Sequence, residues 1–301
     1  MTLSLIEDLS QTKTTLEEFK DVTARVLNYM PAIIDKEIEY LDYFICSSTT
    51  GGSTKRIRPF NKNLFIKNAN EFEKEYLEFE EILQILRNRE IFFQENQFQI
   101  VDKVLYTIQQ SIGIGLDLLG TSNSSRKHVG TRFEELVRTL LSSMNVTMKK
   151  IVLSIPYDTE EGKKYYRCET DVVISPFDKI KSDSQNIHPD EIVITLKTTT
   201  KDRMPKIFID KILMERFVGH TIRMIGISLN DIQRKDEKNR SIISYTFVSN
   251  LFMVYTKFLT QLEGYYYLDL PKKALIAPFN QYVFPFSKFI LKDIWLLLNR
   301  T

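Results

Sequence analysis

The chain has 301 residues, 43% of them hydrophobic and 27% charged, with a formal net charge of +2. That is ordinary globular material, enough for one large domain or two modest ones. The balanced charge points to no partner unless Lys and Arg are gathered on one face. Cys46 and Cys168 are too few for a disulfide framework or a zinc site, and they suit a reducing compartment.

The N-terminus, "MTLSLIEDLSQTKTTLEEFK", lacks the basic and apolar succession of a signal peptide. No apolar run approaches the roughly 18 residues of a membrane span, so the expected setting is cytoplasmic, without a membrane. The first 120 residues are expected to be mainly helical. "TLEEFKDVTARVLNYMPAIIDKEIEYLDYFI" carries apolar residues at helical spacing, interrupted by Pro31. "SSTTGGSTKRIRPFNKN", residues 47–63, is a loop by composition. Its "KRIR" is either a solvated cluster or a phosphate contact. "GGST" lacks the ending of a phosphate-binding loop. Two further helices follow, up to "GTSNSSRKHVG", residues 120–130, the best candidate boundary. The expected domains are thus 1–120 and 121–301.

The pattern then changes. "GTRFEELVRTLLSSM" is a helix with Phe133, Val137, Leu140 and Leu141 on one face. "MKKIVLSIP", "YYRCETDVVIS" and "EIVITLK" are strands. "RMPKIFIDKILMERFVG" is a helix with Pro205 in its first turn, and "TIRMIGISL" is another strand. "NDIQRKDEKNRS" is expected to be a solvated loop, "IISYTFVSN" a strand, "LFMVYTKFLTQL" a helix and "GYYYLDLP" a closing strand. A terminal helix covers "FILKDIWLLLNR". The fold class is α/β, a mixed sheet flanked by helices.

Three side chains stand out. In "EIVITLK", alternation puts Val193, Thr195 and Lys197 on one face. In "ETDVVIS", Asp171 is an acid in an apolar strand, costly to bury without a partner, which could be Lys197 or a metal ion. On the following helix Asp210 falls on the side of Ile207, Met214 and Phe217. Two carboxylates and a lysine around one point suit phosphodiester hydrolysis. Carboxylates hold Mg²⁺, and a lysine orients water and offsets developing charge. The alternatives are structural: an Asp171–Lys197 ion pair inside the sheet, or Asp210 paired with Arg203 or Lys206.

The order of elements, with "ETDVVIS" and "ITLK", resembles the PD-(D/E)XK nuclease superfamily, with its αβββαβ core, over roughly residues 130–230. "LKTTTKDR" is similar to a stretch of the type II restriction endonucleases that cut CCGG- and CCNGG-like sites. The resemblance implies that Asp171 binds the metal, although Thr170 stands where the family has proline. It implies that Lys197 is the catalytic lysine, although Thr195 stands where an acid is usual. In the CCNGG-type branch that acid lies 13 residues after the lysine, which here is Asp210. The resemblance further offers Glu134, or alternatively Glu135, as a completing acid and the Leu196 carbonyl as a metal ligand. It makes Lys201, Asp202 and Arg203 the base-reading residues, chemically able to address guanine and cytosine edges.

The expected function is therefore Mg²⁺-dependent, site-specific cleavage of double-stranded DNA in a prokaryotic cytoplasm, by a homodimer whose N-terminal region dimerises or clamps DNA. A cognate DNA methyltransferase is the implied companion. The rivals are a structure-selective or repair nuclease on the same core, and a DNA-binding module that has lost catalysis.

Overall fold

The protein was analysed as a computed structural model, in which residues 3–50, 53–88, 93–237 and 240–299 are described. The chain forms two compact units, Met1–Met144 with Leu229–Thr246, and Asn145–Ser228 with Phe247–Thr301.

The first unit begins with α1 (Leu5–Ser10) and α2 (Leu16–Ile33), each opened by a capping box, from Ser4 to Glu7 and from Thr15 to Glu18. Pro31 falls in the last turn of α2, where it lacks the N–H that would bond the Leu27 carbonyl, and the helix ends two residues later at Ile33. The expected helical continuation is instead a sheet: β1 (Lys36–Tyr40), β2 (Tyr43–Thr50), β3 (Ser53–Arg56) and β4 (Phe60–Asn61), with β2 central and antiparallel to the rest. "KEIEY" alternates with period two, and Leu41 turns the chain at a φ of 55°. The N-terminal region is thus not simply helical, and residues 47–63 are mostly strand rather than loop; Gly51 and Gly52 lie outside the described residues. The basic cluster is spent internally: Arg58 pairs with Asp117 at 2.8 Å and Arg56 with Asp236 at 2.8 Å.

Three helices complete this part: α3 (Ala69–Arg87), α4 (Glu95–Leu119) and α5 (Ser122–Ser143). The polar stretch at 120–130 is no boundary, because α5 runs through most of it and buries Val129 and Phe133. The units divide at Met144 and Asn145 instead.

The second unit is built on a six-stranded mixed sheet. Its strands are β5 (Thr147–Lys149), β8 (Val172–Ser175), β9 (Ile192–Lys197), β10 (Arg223–Ser228), β13 (Gly264–Tyr267) and β14 (Val283–Pro285). β8 runs antiparallel to both its neighbours, β5 and β9, and β9, β10, β13 and β14 run parallel. β6 (Val152–Thr159) and β7 (Gly162–Glu169) form a separate hairpin. The helix α6 (Met204–Val218) has Pro205 in its first turn and ends on Gly219, at a φ of 80°.

After β10 the chain leaves this unit. The expected loop at 230–241 belongs largely to an antiparallel hairpin, β11 (Ile232–Glu237) and β12 (Arg240–Tyr245), which packs in the first unit through Tyr43, Ile45 and Ile243. The chain returns at Phe247 and forms α7 (Ser249–Phe258).

The tyrosines of "GYYY" divide the sheet's two faces by strand alternation. Tyr265 and Tyr267 pack towards Phe252 and Phe247, the side of α6 and α7. Tyr266 packs against Phe289 in the C-terminal helical residues and donates to Asp293 at 3.0 Å. No described helix is long and apolar enough to cross a membrane.

Candidate active site

The site forms where β8 and β9 run antiparallel. Their register pairs Val172 with Ile194, so the next pair out sets Asp171 opposite Thr195. Asp171 lies in the bend between β7 and β8, free of ladder geometry. The residue before it, Thr170, is buried and fixes this bend: its backbone N–H and hydroxyl both donate to the Ile151 carbonyl at 2.9 Å. These bonds hold the residue directly ahead of Asp171 in place.

Three donors converge on Asp171 Oδ2: the Leu196 backbone N–H at 2.6 Å, Lys197 Nζ at 3.0 Å and Thr195 Oγ1 at 3.3 Å. Oδ1 takes part in none of these bonds. Lys197 also donates to the Leu196 carbonyl at 2.9 Å, so its ammonium has two anchors on neighbouring groups. The side chains of Lys197 and Asp171 are 18% and 20% exposed, sheltered yet reachable.

Asp210 joins them from α6. Its carboxylate accepts from Lys206 Nζ through both oxygens, each at 2.6 Å. Burial by itself would lower the Lys206 pKa, but the bond to Asp210 and its charge reverse this, and the net shift is upward. Burial, with the Asp210 charge next, raises the Cys168 thiol to about 11.

Asp171, Thr195, Lys197, Lys206 and Asp210 all line one cleft of about 280 Å³, whose wall also includes Tyr166 and Arg167 of β7. The β7 contribution is the part that sequence reasoning missed. Its signal was the alternation in "YYRCE", which puts Tyr166 and Cys168 on one side of the strand.

The remaining expected residues fall elsewhere. Lys201, Asp202 and Arg203 form an exposed turn between β9 and α6, with Asp202 at a φ of 58°. Glu134 belongs to the first unit, on α5, with Arg138 at 3.8 Å. Its neighbour Glu135 is buried, accepting from Arg132 at 2.8 Å and from the Lys13 backbone at 2.9 Å. No group of three His, Cys, Asp or Glu side chains able to hold a metal occurs among the described residues.

The donor set nevertheless fits Mg²⁺. This ion prefers hard oxygen ligands, keeps several waters and is commonly held by only one or two carboxylates. Asp171 and Asp210 supply two carboxylates, and Leu196 supplies a carbonyl beside them.

No protein-family model matches the sequence, and no curated protein matches it. Among solved structures, the chain is similar to the type IIP restriction endonuclease Kpn2I, with a TM-score of 0.70 and 19% identity over 94% of this chain and 91% of that one. A second match is the restriction endonuclease PspGI in complex with substrate DNA, with a TM-score of 0.44 and 14% identity over 77% of this chain and 93% of that one. The likeness to Kpn2I establishes a shared restriction-endonuclease fold along nearly the whole chain.

Proposed function

We propose that this protein is a type II restriction endonuclease, a Mg²⁺-dependent hydrolase of phosphodiester bonds at a specific sequence in double-stranded DNA. It would belong to the branch that cuts CCGG- or CCNGG-like sites and carries its second metal-binding acid 13 residues after the lysine. The observation that carries this reading is the meeting of Asp171, Lys197 and Asp210, from three separate elements, in one cleft. The fold shared with Kpn2I supports it.

In this reading Asp171 and Asp210 hold the metal together with the Leu196 carbonyl. Bound there, Mg²⁺ neutralises the scissile phosphate and makes coordinated water more acidic. Lys197 orients the attacking water and offsets the charge that develops on the phosphate. The bond from Leu196 N–H to Asp171 fixes the acid's orientation. The exposed Lys201, Asp202 and Arg203 read base edges, the cations from guanine and the acid from cytosine. A palindromic target calls for a two-fold dimer. The first unit would supply dimerisation or DNA clamping, with Glu134 as a further acid, and a cognate methyltransferase would protect the host DNA. The two reduced cysteines suit a prokaryotic cytoplasm.

One observation favours a second reading, a DNA-binding module without catalysis: Thr195 takes the place of an acid, and Asp210 is already neutralised by Lys206. Incubation with plasmid and phage DNA in Mg²⁺, beside Lys197→Ala and Asp210→Asn, separates the two. Discrete fragments from the wild type and none from either variant support the nuclease. Retarded but intact DNA at several sequences, in Mg²⁺ and Mn²⁺, supports the binding module.

A further inference from the structure

Asp171 and Asp210 each have a lysine in the cleft lining, and these two lysines are held very differently. Lys197 is 18% exposed and bonds both Asp171 and the Leu196 carbonyl. Lys206 is 59% exposed, and its ammonium bonds the Asp210 carboxylate alone. The pair also runs against the helix: lysine lies four residues N-terminal to the acid, the reverse of the order that best stabilises a helix. Asp210, at 22% exposure, is held in the cleft wall, while the more exposed lysine sits on a flexible stem.

Resting on the nuclease reading, we infer that Lys206 is the resident counter-ion of the metal site, occupying both oxygens of Asp210 until a divalent cation displaces it. The Lys206 ammonium supplies the positive charge that Asp210 needs beside Asp171 while no metal is bound. A divalent ion brings twice the charge to the same oxygens and can engage Asp171 as well. The more exposed lysine, bonded to Asp210, then yields. Lys206 is in this sense a positioning residue, holding both oxygens of Asp210 at the cleft wall.

The test is Mn²⁺ binding without DNA, read from the free-ion signal in electron paramagnetic resonance. Wild type, Lys206→Met, Lys206→Arg, Asp210→Asn and the Lys206→Met/Asp210→Asn double variant are compared, each with its thermal melt as a folding control. Removing a partly exposed competitor should tighten binding about fivefold in Lys206→Met. Lys206→Arg should stay near wild type, and the gain should vanish in the double variant. Unchanged or weaker binding by folded Lys206→Met overturns the inference, and so does a gain that survives in the double variant. If the wild type cuts plasmid while Lys206→Met binds Mn²⁺ no better, the counter-ion role fails and the nuclease stands. If no variant binds Mn²⁺ and the wild type cuts no DNA, the nuclease reading falls and this inference falls with it.

Discussion

Lys197 reaches Asp171 across two antiparallel strands, its Nζ 3.0 Å from Oδ2, at the point where the bend before β8 frees the acid from the ladder. Such a pair could be structural or catalytic, and exposure separates the two. Partly exposed pairs contribute up to about 1 kcal/mol to stability. Lys197→Met should therefore shift stability by no more than about that amount while abolishing cleavage. Asp171→Asn keeps the shape and should likewise lose cleavage, by about two orders of magnitude or more, as expected when a preorganised charge is removed from a reacting centre. Paired melts and plasmid-cleavage rates check this; a large loss of stability with residual cutting would make the pair structural.

The strand and helix that carry this chemistry were legible because their signals are local. "EIVITLK" is a short β-branched run that alternates towards its end, and Asp210 shares its helical side with the buried Ile207 and Met214. Of the hairpin at Ile232–Tyr245, only the end of the second strand, within "IISYTFVSN", was legible as strand. Its first strand is largely exposed and reads as a charged loop, and its place is fixed by distant partners: Arg234 donates to the Cys46 carbonyl at 2.9 Å. The sheet at Lys36–Asn61 was hidden for a similar reason, since its edge strand "KEIEY" is mostly exposed and its Glu37 pairs with Lys67 of a later loop. Thr170 departs from the family pattern in sequence, and only its bond to Ile151 shows how the bend is kept.

The adjacent acids of "GTRFEEL" should part company on mutation. Glu135→Ala leaves Arg132 buried without its partner, and breaking a buried pair costs about 3–5 kcal/mol. Glu134→Ala touches a half-exposed side chain and should stay within about 0.5 kcal/mol of wild type. Chemical denaturation measures both. Cleavage by the stable Glu134→Ala protein then decides the catalytic role, because a completing acid would lose activity without losing stability.

Both cysteines should make the protein sensitive to alkali. Burial raises Cys168 to about 11 and Cys46 to about 12, from an ordinary value near 9. Their neutral thiols are favoured in the folded state, so the stability they contribute is complete below pH 9 and is lost as pH rises through 11 and 12. Melting temperature should fall more steeply over that window in the wild type than in Cys168→Ala. For the same reason, alkylation of the folded protein at pH 8 should be slow at both sites and become fast only on unfolding. Rapid labelling of Cys168 in the folded state would contradict this environment.

The close approach of Gly226 to Tyr265 should also govern the site from a distance. Gly226 sits on β10 between Thr195 of β9 and Tyr265 of β13. A Cβ there would lie 2.6 Å from Cδ2 of the Tyr265 ring. The ring cannot easily give way, being packed on Phe252 and Tyr267 and bonded through its hydroxyl to Ser228 at 2.8 Å. Gly226→Ala should therefore cost about 1–3 kcal/mol through overpacking. It should also slow cleavage, because displacement of β10 moves Thr195 and Lys197, its partners in register. Tyr265→Leu frees the space, so the double variant should recover part of both losses. A double-mutant cycle in stability and cleavage rate measures that coupling, and strictly additive effects would show that the glycine is not there to admit the ring.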